Sequence, residues 1–460
     1  MKFRAVFPFG GSGGGALGFL GAEARLLEHT GRFEALGSID FDAGACEDFE
    51  RFTGAPAWCA DVETITAAEV RERYGATAPD VVFMSPPCKG SSRLLSSAKA
   101  ATAKYQRMNA LALAWTRTML EAWPDPPTLV LLENVPGLPT RATKMLRELR
   151  ATLRRAGYVF HASTHDCGEL GGLAQHRQRY LLVARRPKKC PSLLYQPPKK
   201  RVRAVGEVLA ELPMPATHAA ARWGELHTMP RLSWKNWLRL ALIPAGGDWR
   251  DLEGVLDGRA RREVFRRHAV QRWDEASPAI TGPGGHAVEA VADPRIEALR
   301  VPAAYDAGYG VLSWQDPART VAGTAAVGCG AYAVADGLDR GFLEGVRVLT
   351  LDEALGLELD PAKPPPFVPV IVAEDGTWHR PLTPLELSAL QGYPLEIDGE
   401  PIRWSGGRTA IVEHIGNSVP PPAAEAIATR MLLALMEARL STFTLAGGLD
   451  VWVSPEARIQ

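Results

Sequence analysis

The chain has 460 residues, and its 52 lysines and arginines balance its 52 aspartates and glutamates, so the formal net charge is zero. A hydrophobic content of 46% with 23% charged residues is typical of a folded globular protein and argues against a disordered chain. With no apolar run long enough to span a bilayer and no signal peptide, we expect a cytoplasmic protein of two or more domains that does not coat nucleic acid indiscriminately.

The first third of the chain alternates short apolar runs with helical stretches. Strands are predicted at FRAVFPF, ALGSIDF, PDVVFMS, PTLVLLENV and QRYLLVARR. Helices are predicted at AGACEDFERFTG, NALALAWTRTMLEAW and TKMLRELRATLRRAG, and GGSGGGALGFLGAEARLLEHT reads as a glycine loop entering another helix. This alternation predicts an α/β protein with a doubly wound, mostly parallel sheet, whose ligand sites lie at the carboxyl ends of strands.

The pattern changes near residue 187, and prolines, basic residues and tryptophans dominate to about residue 379. Six of the twelve tryptophans fall between Trp223 and Trp314, which indicates a second, smaller domain that is irregular or rich in β-structure. It contains a weak internal repeat, in which VQRWDEASPAITG is echoed by VLSWQDPARTVAG and each copy is followed by VAD. We expect two related β units. The duplication is either purely structural or has a functional role of its own.

Helical periodicity returns from residue 380 to the end of the chain, in TPLELSALQGYP and HIGNSVPPPAAEAIATRMLLALMEARL. The second stretch predicts an amphipathic helix entered through prolines. Its apolar face must be buried, and the first domain is the expected place. The predicted organisation is therefore a first domain at 1–186, a second at 187–379, and a segment at 380–460 that completes the first.

The glycine-rich stretch FGGSGGGALG follows a strand and opens a helix. Such a loop brings backbone N–H groups close to an anionic or adenosine-bearing ligand. Gly13, Gly15 and Gly18 also fit GxGxxG, a weak signal that leaves a dinucleotide open. Asp40 ends the next strand and Asp61 follows the third candidate segment, where carboxylates could meet ribose hydroxyls and an adenine edge.

A cysteine directly behind two prolines is the most unusual feature of the sequence, in FMSPPCKGSS. The six cysteines are scattered and form no CxxC pair, which argues against a metal cluster and a disulfide framework. A lone cysteine is more often a small buried hydrophobe than a nucleophile. Cys88, however, follows a predicted strand at the rim where this fold class carries its chemistry.

Two further motifs bring charged side chains to the same predicted rim. The strand in LLENV ends with Glu133 and Asn134, and a glutamate among apolar neighbours can share a proton with a ring nitrogen. AQHRQR then places Arg177 and Arg179 two residues apart before a strand, so both side chains point the same way if the segment is extended. Paired guanidinium groups can hold a phosphate or a carbonyl oxygen.

These motifs together resemble those of the cytosine-5 DNA methyltransferases of bacterial and phage type. FGGSGG is similar to their S-adenosylmethionine loop, SPPCKGSS to their nucleophile loop, and LLENV and QHRQR to their ENV and QxRxR motifs. RPLTPLELSALQGYP and GNSVPP are similar to their last two motifs, in the same order. The tryptophan-rich domain falls where that family keeps its target-recognition domain.

The resemblance implies a Rossmann-like methyltransferase fold and a DNA (cytosine-5-)-methyltransferase activity. Cys88 would attack carbon 6 of a flipped-out cytosine, Glu133 would hold N3 and the exocyclic amine, and Arg177 and Arg179 would contact the carbonyl oxygen and fix the loop geometry. S-adenosylmethionine, the implied cofactor, would be bound by Phe9, Gly11, Gly13, Gly14, Asp40, Phe41, Asp61, Pro87, Asn417 and Ser418. Double-stranded DNA would be contacted by Lys89, Ser91, Arg261, Arg262, Arg266 and Arg267.

The resemblance further implies a monomer without a metal or a membrane partner, and a cognate restriction endonuclease as a candidate partner. Phe7 stands where the family usually has an acid, and Lys89 where it usually has glutamine. A lysine beside Cys88 could lower the thiol pKa or contact a DNA phosphate. The alternatives are an amino-methyltransferase, a nicotinamide or flavin oxidoreductase, a catalytically silent DNA-binding module, and an RNA substrate in place of DNA.

Overall fold

The computed structural model describes residues 1–87, 102–215, 218–245, 270–280, 290–295, 311–313, 333–335 and 346–454. The chain forms two compact units. The first consists of Met1–Ala204, Ala276–Gly285 and Leu387–Gln460, and the second of Val205–Glu275 and His286–Glu386. The chain thus leaves the first unit later than the predicted boundary at residue 187. It also returns to that unit at Ala276, which the sequence did not indicate.

The first unit is built on a central sheet with helices on both faces. Its elements up to residue 195 are β1 (Lys2–Pro8), α1 (Gly14–Gly21), β2 (Glu23–Leu26), β3 (His29–Asp40), α2 (Ala43–Thr53), β4 (Ala57–Cys59), α3 (Ala67–Tyr74), β5 (Val81–Met84), α4 (Ala103–Ala122), β6 (Leu129–Asn134), α5 (Leu138–Arg141), α6 (Thr143–Arg155), β7 (Val159–Asp166), α7 (Cys167–Gly171), β8 (Gln178–Arg185) and β9 (Leu194–Tyr195). The strand order is β2-β3-β1-β5-β6-β8-β7, with β4 beside β3.

The predicted α/β class and doubly wound sheet are confirmed, and the sheet is mixed at its two edges. The central strands β3, β1, β5 and β6 run parallel to one another. By contrast, β8 is antiparallel to both of its neighbours, β6 and β7, and β2 is antiparallel to β3. The carboxyl ends of β3, β1, β5 and β6 therefore meet at one edge of the sheet, where the polar residues of the motifs lie.

One predicted helix is wrong over its second half. Helix α1 ends at Gly21, and EARLLEHT instead forms β2, a tight turn and the start of β3. Leu27 in that turn has a φ of 53°, in the left-handed region that hairpin turns require. Along β2, Ala24 is buried and Arg25 exposed, an alternation typical of a strand with one covered face.

The second unit contains a five-stranded sheet and a tryptophan-rich core. Its elements are α8 (Val205–Leu209), a kinked 3₁₀ segment (His218–His227), α9 (Trp234–Leu242), β10 (Val270–Gln271), β11 (Ala290–Asp293), β12 (Val311–Ser313), β13 (Ala333–Ala335), β14 (Val346–Thr350), α10 (Leu351–Leu355), β15 (Val368–Val372) and β16 (Trp378–Pro381). The sheet order is β10-β11-β16-β15-β14. Trp234, Trp237 and Trp378 are buried in one apolar cluster.

The two copies of the sequence repeat form equivalent pairs of strands. In the first copy β10 pairs in parallel with β11, and Val270 lies opposite Ala290. In the second copy β12 pairs in parallel with β13, and Val311 lies opposite Ala333. Val270 and Val311 begin the two repeats, and Ala290 and Ala333 both directly precede VAD. Matching positions of the repeat therefore have matching partners.

A buried ion network stabilises the second unit. Arg380 on β16 lies 2.8 Å from the carboxylate of Asp293 on β11 and 2.6 Å from that of Glu386, and all three side chains are fully buried. Asp293 also pairs with Arg295 at 2.9 Å. Each buried charge here thus has an opposite charge as its partner, as buried ions require.

The C-terminal part of the chain contains α11 (Pro384–Leu390), β17 (Glu396–Ile397), β18 (Glu400–Pro401), α12 (Arg408–Asn417), α13 (Pro421–Leu440) and β19 (Val451–Val453). Helix α13 begins at prolines and buries Ile427, Met431 and Leu435 in a cluster that also contains Phe7 and Phe19. A separate cluster on the opposite face includes Val82, Trp115 and Leu149. In the described part of the chain no helix is long and apolar enough to cross a membrane.

Candidate active site

The loop between β1 and α1 has a backbone that few residue types adopt. Phe9, Gly11 and Gly13 have φ values of 56°, 50° and 85°. Such a conformation is strained for the non-glycine residue Phe9, and strain of this kind is concentrated at ligand sites. The loop is fixed to β3, because the N–H of Phe9 donates to the carbonyl oxygen of Ile39 at 2.7 Å.

Asp40 and Phe41 extend the rim at the end of β3. The N–H of Gly11 donates to Oδ2 of Asp40 at 2.9 Å, which fixes this carboxylate beside the glycine loop. Burial raises the pKa of the Asp40 carboxyl, although hydrogen bonds from Asp42 and Gly11 oppose that effect. The ring of Phe41 is 70% exposed, unusual for a phenylalanine and suited to stacking on a flat ligand.

A cavity of about 210 Å³ opens between the glycine loop, the ends of β3, β5 and β6, and helix α12. Glu133 and Arg179 line the same cavity. Of the residues predicted to bind a cofactor, its wall includes Phe9, Gly11, Asp40, Phe41, Pro87, Asn417 and Ser418. The residues predicted to bind a cofactor and those predicted to bind a base thus line one cavity.

Three predicted cofactor residues lie outside the wall of this cavity. A Cβ on Gly13 would lie 3.1 Å from the ring of Phe49, so Gly13 packs on α2. A Cβ on Gly14 would lie 2.2 Å from Oγ of Ser418, so Gly14 allows the close approach of the C-terminal segment. Asp61 is exposed, and its carboxylate accepts from the N–H of Glu63 at 3.0 Å.

Glu133, at the end of β6, is held by two neighbours. Its Oε1 lies 2.8 Å from Nε of Arg179 on β8, and only 8% of the glutamate and 12% of the arginine side chain are exposed. Oγ of Ser85 donates to Oε2 of Glu133 at 2.5 Å. Both carboxylate oxygens therefore have partners, and the group faces the cavity in a fixed orientation.

Arg177 differs from Arg179 in what it contacts. The Arg177 side chain is 1% exposed and donates to the carbonyl oxygens of Ile280, Gly416 and Ser418 at 2.8, 2.8 and 2.9 Å. A guanidinium that is occupied by three backbone carbonyls holds chain segments together. Of the two predicted roles, contact with a carbonyl oxygen of the base and fixing of loop geometry, this arrangement favours the second for Arg177.

The segment that returns to the first unit at Ala276 pairs with the QHRQR motif. Ser277 forms a parallel β-bridge with Gln175, and its carbonyl oxygen accepts from the N–H of His176 at 2.7 Å. The fully buried Gln175 side chain donates to the carbonyl oxygen of Leu390 at 3.0 Å and accepts from the N–H of Ile280 at 3.2 Å. The segment carrying Arg177 is therefore fixed by chain segments from distant parts of the sequence.

The predicted nucleophile and DNA contacts lie outside the described residues: Cys88, Lys89, Ser91, Arg261, Arg262, Arg266 and Arg267. The chain leading to Cys88 is described up to Pro87. The carbonyl oxygen of Pro86 accepts from Nδ2 of Asn134 at 2.9 Å, and the N–H of Ser85 donates to the carbonyl oxygen of Pro8 at 3.3 Å. The residues before Cys88 are thus held at the rim that carries Glu133.

His414 also lines the cavity, although no motif in the sequence predicted it. His414 lies on α12, three residues before Asn417, and its Nδ1 is 3.1 Å from Oδ2 of Asp48 on α2. The sequence feature that could have indicated His414 is its position beside GNSVPP, the motif predicted to close the cofactor pocket.

Comparison with known proteins identifies a family over more than half of the chain. The model of the C-5 cytosine-specific DNA methylase family matches residues 6–223 and 364–433. The Type II methyltransferase M1.BsuMI of Bacillus subtilis (strain 168) is 30% identical over 120 residues, which are 26% of this chain. The same 120 residues are 26% of the length of that relative, so the match spans about a quarter of it.

Two solved structures align with nearly the whole chain at low identity. The S. pombe Dnmt2 methyltransferase is 15% identical with a TM-score of 0.45, and the alignment covers 96% of this chain and 99% of that one. The Entamoeba histolytica methyltransferase EhMeth is 15% identical with a TM-score of 0.46, and the alignment covers 96% and 98%.

Proposed function

The chain belongs to the C-5 cytosine-specific DNA methylase family, and we propose that it transfers a methyl group from S-adenosylmethionine to carbon 5 of a cytosine in a specific sequence of double-stranded DNA. The observation that carries this proposal is the single cavity that adjoins both groups of residues. Asp40 and Phe41 lie on its wall together with Glu133 and Arg179. Methyl transfer requires such an arrangement, because donor and acceptor must meet within one enclosed space.

The residues present fit S-adenosylmethionine. The carboxylate of Asp40 would accept hydrogen bonds from ribose hydroxyls, and the exposed ring of Phe41 would stack on the adenine. Asn417 and Ser418 would close the pocket from α12. When bound, this cofactor supplies an electrophilic methyl group on a sulfonium centre.

Glu133 and Arg179 would hold the target base. A cytosine in duplex DNA must leave the stack to reach an enclosed site, which costs a few kcal/mol. Glu133 would contact N3 and the exocyclic amine, and Arg179 would contact the carbonyl oxygen of the ring. Their mutual contact of 2.8 Å orients both groups, so that little reorganisation is needed when a base is bound.

Cys88 would be the nucleophile. Its thiolate would form a bond to carbon 6 of cytosine, while the carbon 5–carbon 6 electron pair moves onto the ring and Glu133 stabilises the charge by sharing a proton with N3. Carbon 5 would then form a bond to the methyl carbon, whose bond to the sulfonium sulfur breaks and leaves the neutral thioether S-adenosylhomocysteine. Transfer of the carbon 5 proton to solvent would return its electron pair to the carbon 5–carbon 6 bond, break the bond from carbon 6 to sulfur, and so release the Cys88 thiolate and restore the ring. Asn134 supports this assignment, since it holds Pro86 two residues before Cys88.

The second unit would recognise the target sequence. The predicted phosphate and base contacts are Arg261, Arg262, Arg266 and Arg267, with Lys89 and Ser91 beside the nucleophile. Asp61, Gly13 and Gly14 remain predicted cofactor residues. We further propose that the protein acts as a monomer in the cytoplasm, with a restriction endonuclease as its candidate functional partner.

The test is incubation of the purified protein with S-adenosylmethionine and double-stranded DNA, followed by mass spectrometry of the nucleosides. We expect 5-methyl-2′-deoxycytidine from the wild type and none from Cys88→Ser. A product of N4-methylcytosine or N6-methyladenine would support an amino-methyltransferase and contradict the proposal. A parallel incubation uses RNA in place of DNA, and methylation of the RNA alone would contradict the assignment of DNA as substrate.

A further inference from the structure

His414 joins two walls of the cavity. On one side, α12 carries His414 and the lining residues Gly416 and Asn417, and Ser418 follows directly. On the other side, α2 begins directly after Asp40 and Phe41, and its N-cap is Asp42. Nδ1 of His414 lies 3.1 Å from Oδ2 of Asp48, and Nε2 lies 3.5 Å from Oδ1 of Asp42.

The side of α2 that faces His414 is close-packed and carries fixed carboxylates. A Cβ on Gly44 would lie 3.2 Å from Cε1 of His414, so only a small residue fits there. Asp48 is fully buried, and its Oδ1 accepts from the N–H of Ser405 at 2.7 Å and from Arg51 at 2.8 Å. Oδ2 of Asp48 remains directed at the imidazole ring.

The two carboxylates favour the charged form of the histidine. A neutral imidazole carries one N–H, whereas the imidazolium donates from both ring nitrogens. The charged and titratable groups around His414 are Asp42 and Asp48 on α2, Glu413 beside it on α12, and Arg51, which contacts Asp48 from α2. Nδ1 is hydrogen-bonded to Asp48 and Nε2 faces Asp42 at ion-pair distance, so both contacts are between opposite charges only when His414 is protonated.

We propose that His414 is a positioning residue for the cofactor, which as an imidazolium holds the α12 wall of the cavity against the Asp40–Asp42 wall. This inference rests on the proposed use of S-adenosylmethionine. The same contact would make cofactor affinity depend on pH, because loss of the proton removes the positive charge that pairs with both carboxylates. The walls that would hold the ribose and close the pocket then separate more easily.

The direction of the pH effect follows from the surroundings of His414. Burial disfavours the charged ring, but the hydrogen bond and the charge of Asp48 outweigh it and raise the pKa of His414 above its ordinary value of 6.5. A raised pKa means that the contact is complete at lower pH and is lost as the pH rises through the raised value. Affinity for the cofactor should therefore fall from neutral to mildly alkaline pH.

The test is calorimetric measurement of S-adenosylhomocysteine binding between about pH 6 and about pH 9, a range that brackets a raised histidine pKa. We expect the Kd of the wild type to rise about tenfold across this range. His414→Gln should bind with the weaker affinity throughout and show no pH dependence. His414→Lys keeps a positive charge in this range, so its affinity should vary little with pH and exceed that of His414→Gln.

The matched control is His165→Gln, a partly buried histidine of the same unit that lies outside the cavity wall. Burial lowers the pKa of His165 to about 4, so this ring stays neutral over the whole range, and its substitution should preserve the wild-type profile. Circular dichroism of each variant shows that it is folded.

If His414→Gln kept the wild-type pH profile, the positioning role would be overturned and the proposed function left intact. If the wild type bound no S-adenosylhomocysteine at any pH, the proposed function would fail with it.

Discussion

Nε of Arg179 lies 2.8 Å from Oε1 of Glu133, across the neighbouring antiparallel strands β8 and β6. Arg177, two residues earlier, instead donates to three backbone carbonyl oxygens. The two arginines of this motif therefore have different roles. Arg179 orients the glutamate at the cavity, and Arg177 holds the C-terminal segment that lines its other side.

Glu133→Gln should remove most of the methyl-transfer activity while leaving cofactor binding nearly unchanged. The amide keeps the size of the side chain but cannot share a proton with the ring, so we expect kcat to fall by about 100-fold or more. Single-turnover kinetics and S-adenosylhomocysteine calorimetry separate the two effects. The matched control is Glu148→Gln, which removes an exposed pair with Arg117 on α4 and should leave both quantities as in the wild type. An active Glu133→Gln enzyme would exclude the proposed role.

Arg177→Met should destabilise the first unit strongly. The change leaves three carbonyl oxygens without their charged donor inside the protein, and we expect the free energy of unfolding to fall by about 3 kcal/mol or more. Chemical denaturation measures the free energy of unfolding. Arg147→Met, at an exposed position of α6, is the control and should change it by less than about 0.5 kcal/mol. Equal stabilities of the two variants would show that the Arg177 contacts contribute nothing.

Phe41→Ala should weaken cofactor binding without lowering stability. The ring is 70% exposed, so its removal creates no cavity in the core, yet it should cost about tenfold in affinity for S-adenosylhomocysteine through lost stacking. Leu27→Ala, at a residue 78% exposed and outside the cavity wall, is the control. Calorimetry and thermal unfolding measure both quantities. Equal affinities of Phe41→Ala and the wild type would place the adenine elsewhere.

Arg380→Met should unfold the second unit under milder conditions. It leaves Asp293 and Glu386 fully buried without their shared partner, at a cost of about 3–5 kcal/mol. Tryptophan fluorescence follows the unfolding of each variant, with buried tryptophans of both units contributing to the signal. Arg272→Met, which removes an exposed pair with Asp274, should have little effect. A melting curve of Arg380→Met that superimposes on that of Arg272→Met would contradict this role.

The same network predicts how the second unit responds to acid. Burial alone would raise the pKa of Asp293 and Glu386. The charge of Arg380 outweighs burial and lowers both pKa values below their ordinary values of 3.8 and 4.5. Groups with lowered pKa values contribute stability above their unfolded pKa, and that contribution is lost as the pH falls through the lowered values. The unit should thus keep its stability down to about pH 5 and lose it below about pH 4. An acid titration of tryptophan fluorescence that begins near neutral pH would show that other groups dominate.

The sequence indicated the parts of the site that depend on local motifs. The glycine loop, Asp40, Glu133 and the arginines of QHRQR follow predicted strands, and parallel strands bring their ends to one edge. It did not show that Glu133 pairs with Arg179, or that Arg177 faces inward. Arg179 meets Glu133 because β8 is antiparallel to β6, a pairing that strand patterns alone do not specify. Arg177 lies before β8 and is held by backbone carbonyls from distant segments.

Features that depend on contacts between distant segments were not predictable. Ser277 pairs with Gln175 across about a hundred residues of chain, and Gln175 also contacts Leu390. No periodicity in the sequence marks Ala276 as a return to the first unit. His414 was missed for the same reason, since a histidine on a helix acquires its role only from the carboxylates that the fold brings to it, Asp42 and Asp48.

Methylation of carbon 5 of cytosine through Cys88, in a defined DNA sequence, can be measured in a bacterial host that lacks cytosine methylation. Wild-type protein and Cys88→Ser are expressed separately, and the host DNA is sequenced after bisulfite conversion. We expect protected cytosines within one recurring sequence for the wild type and none for Cys88→Ser. No protected sequence with the wild type, or the same pattern with both proteins, would contradict this expectation.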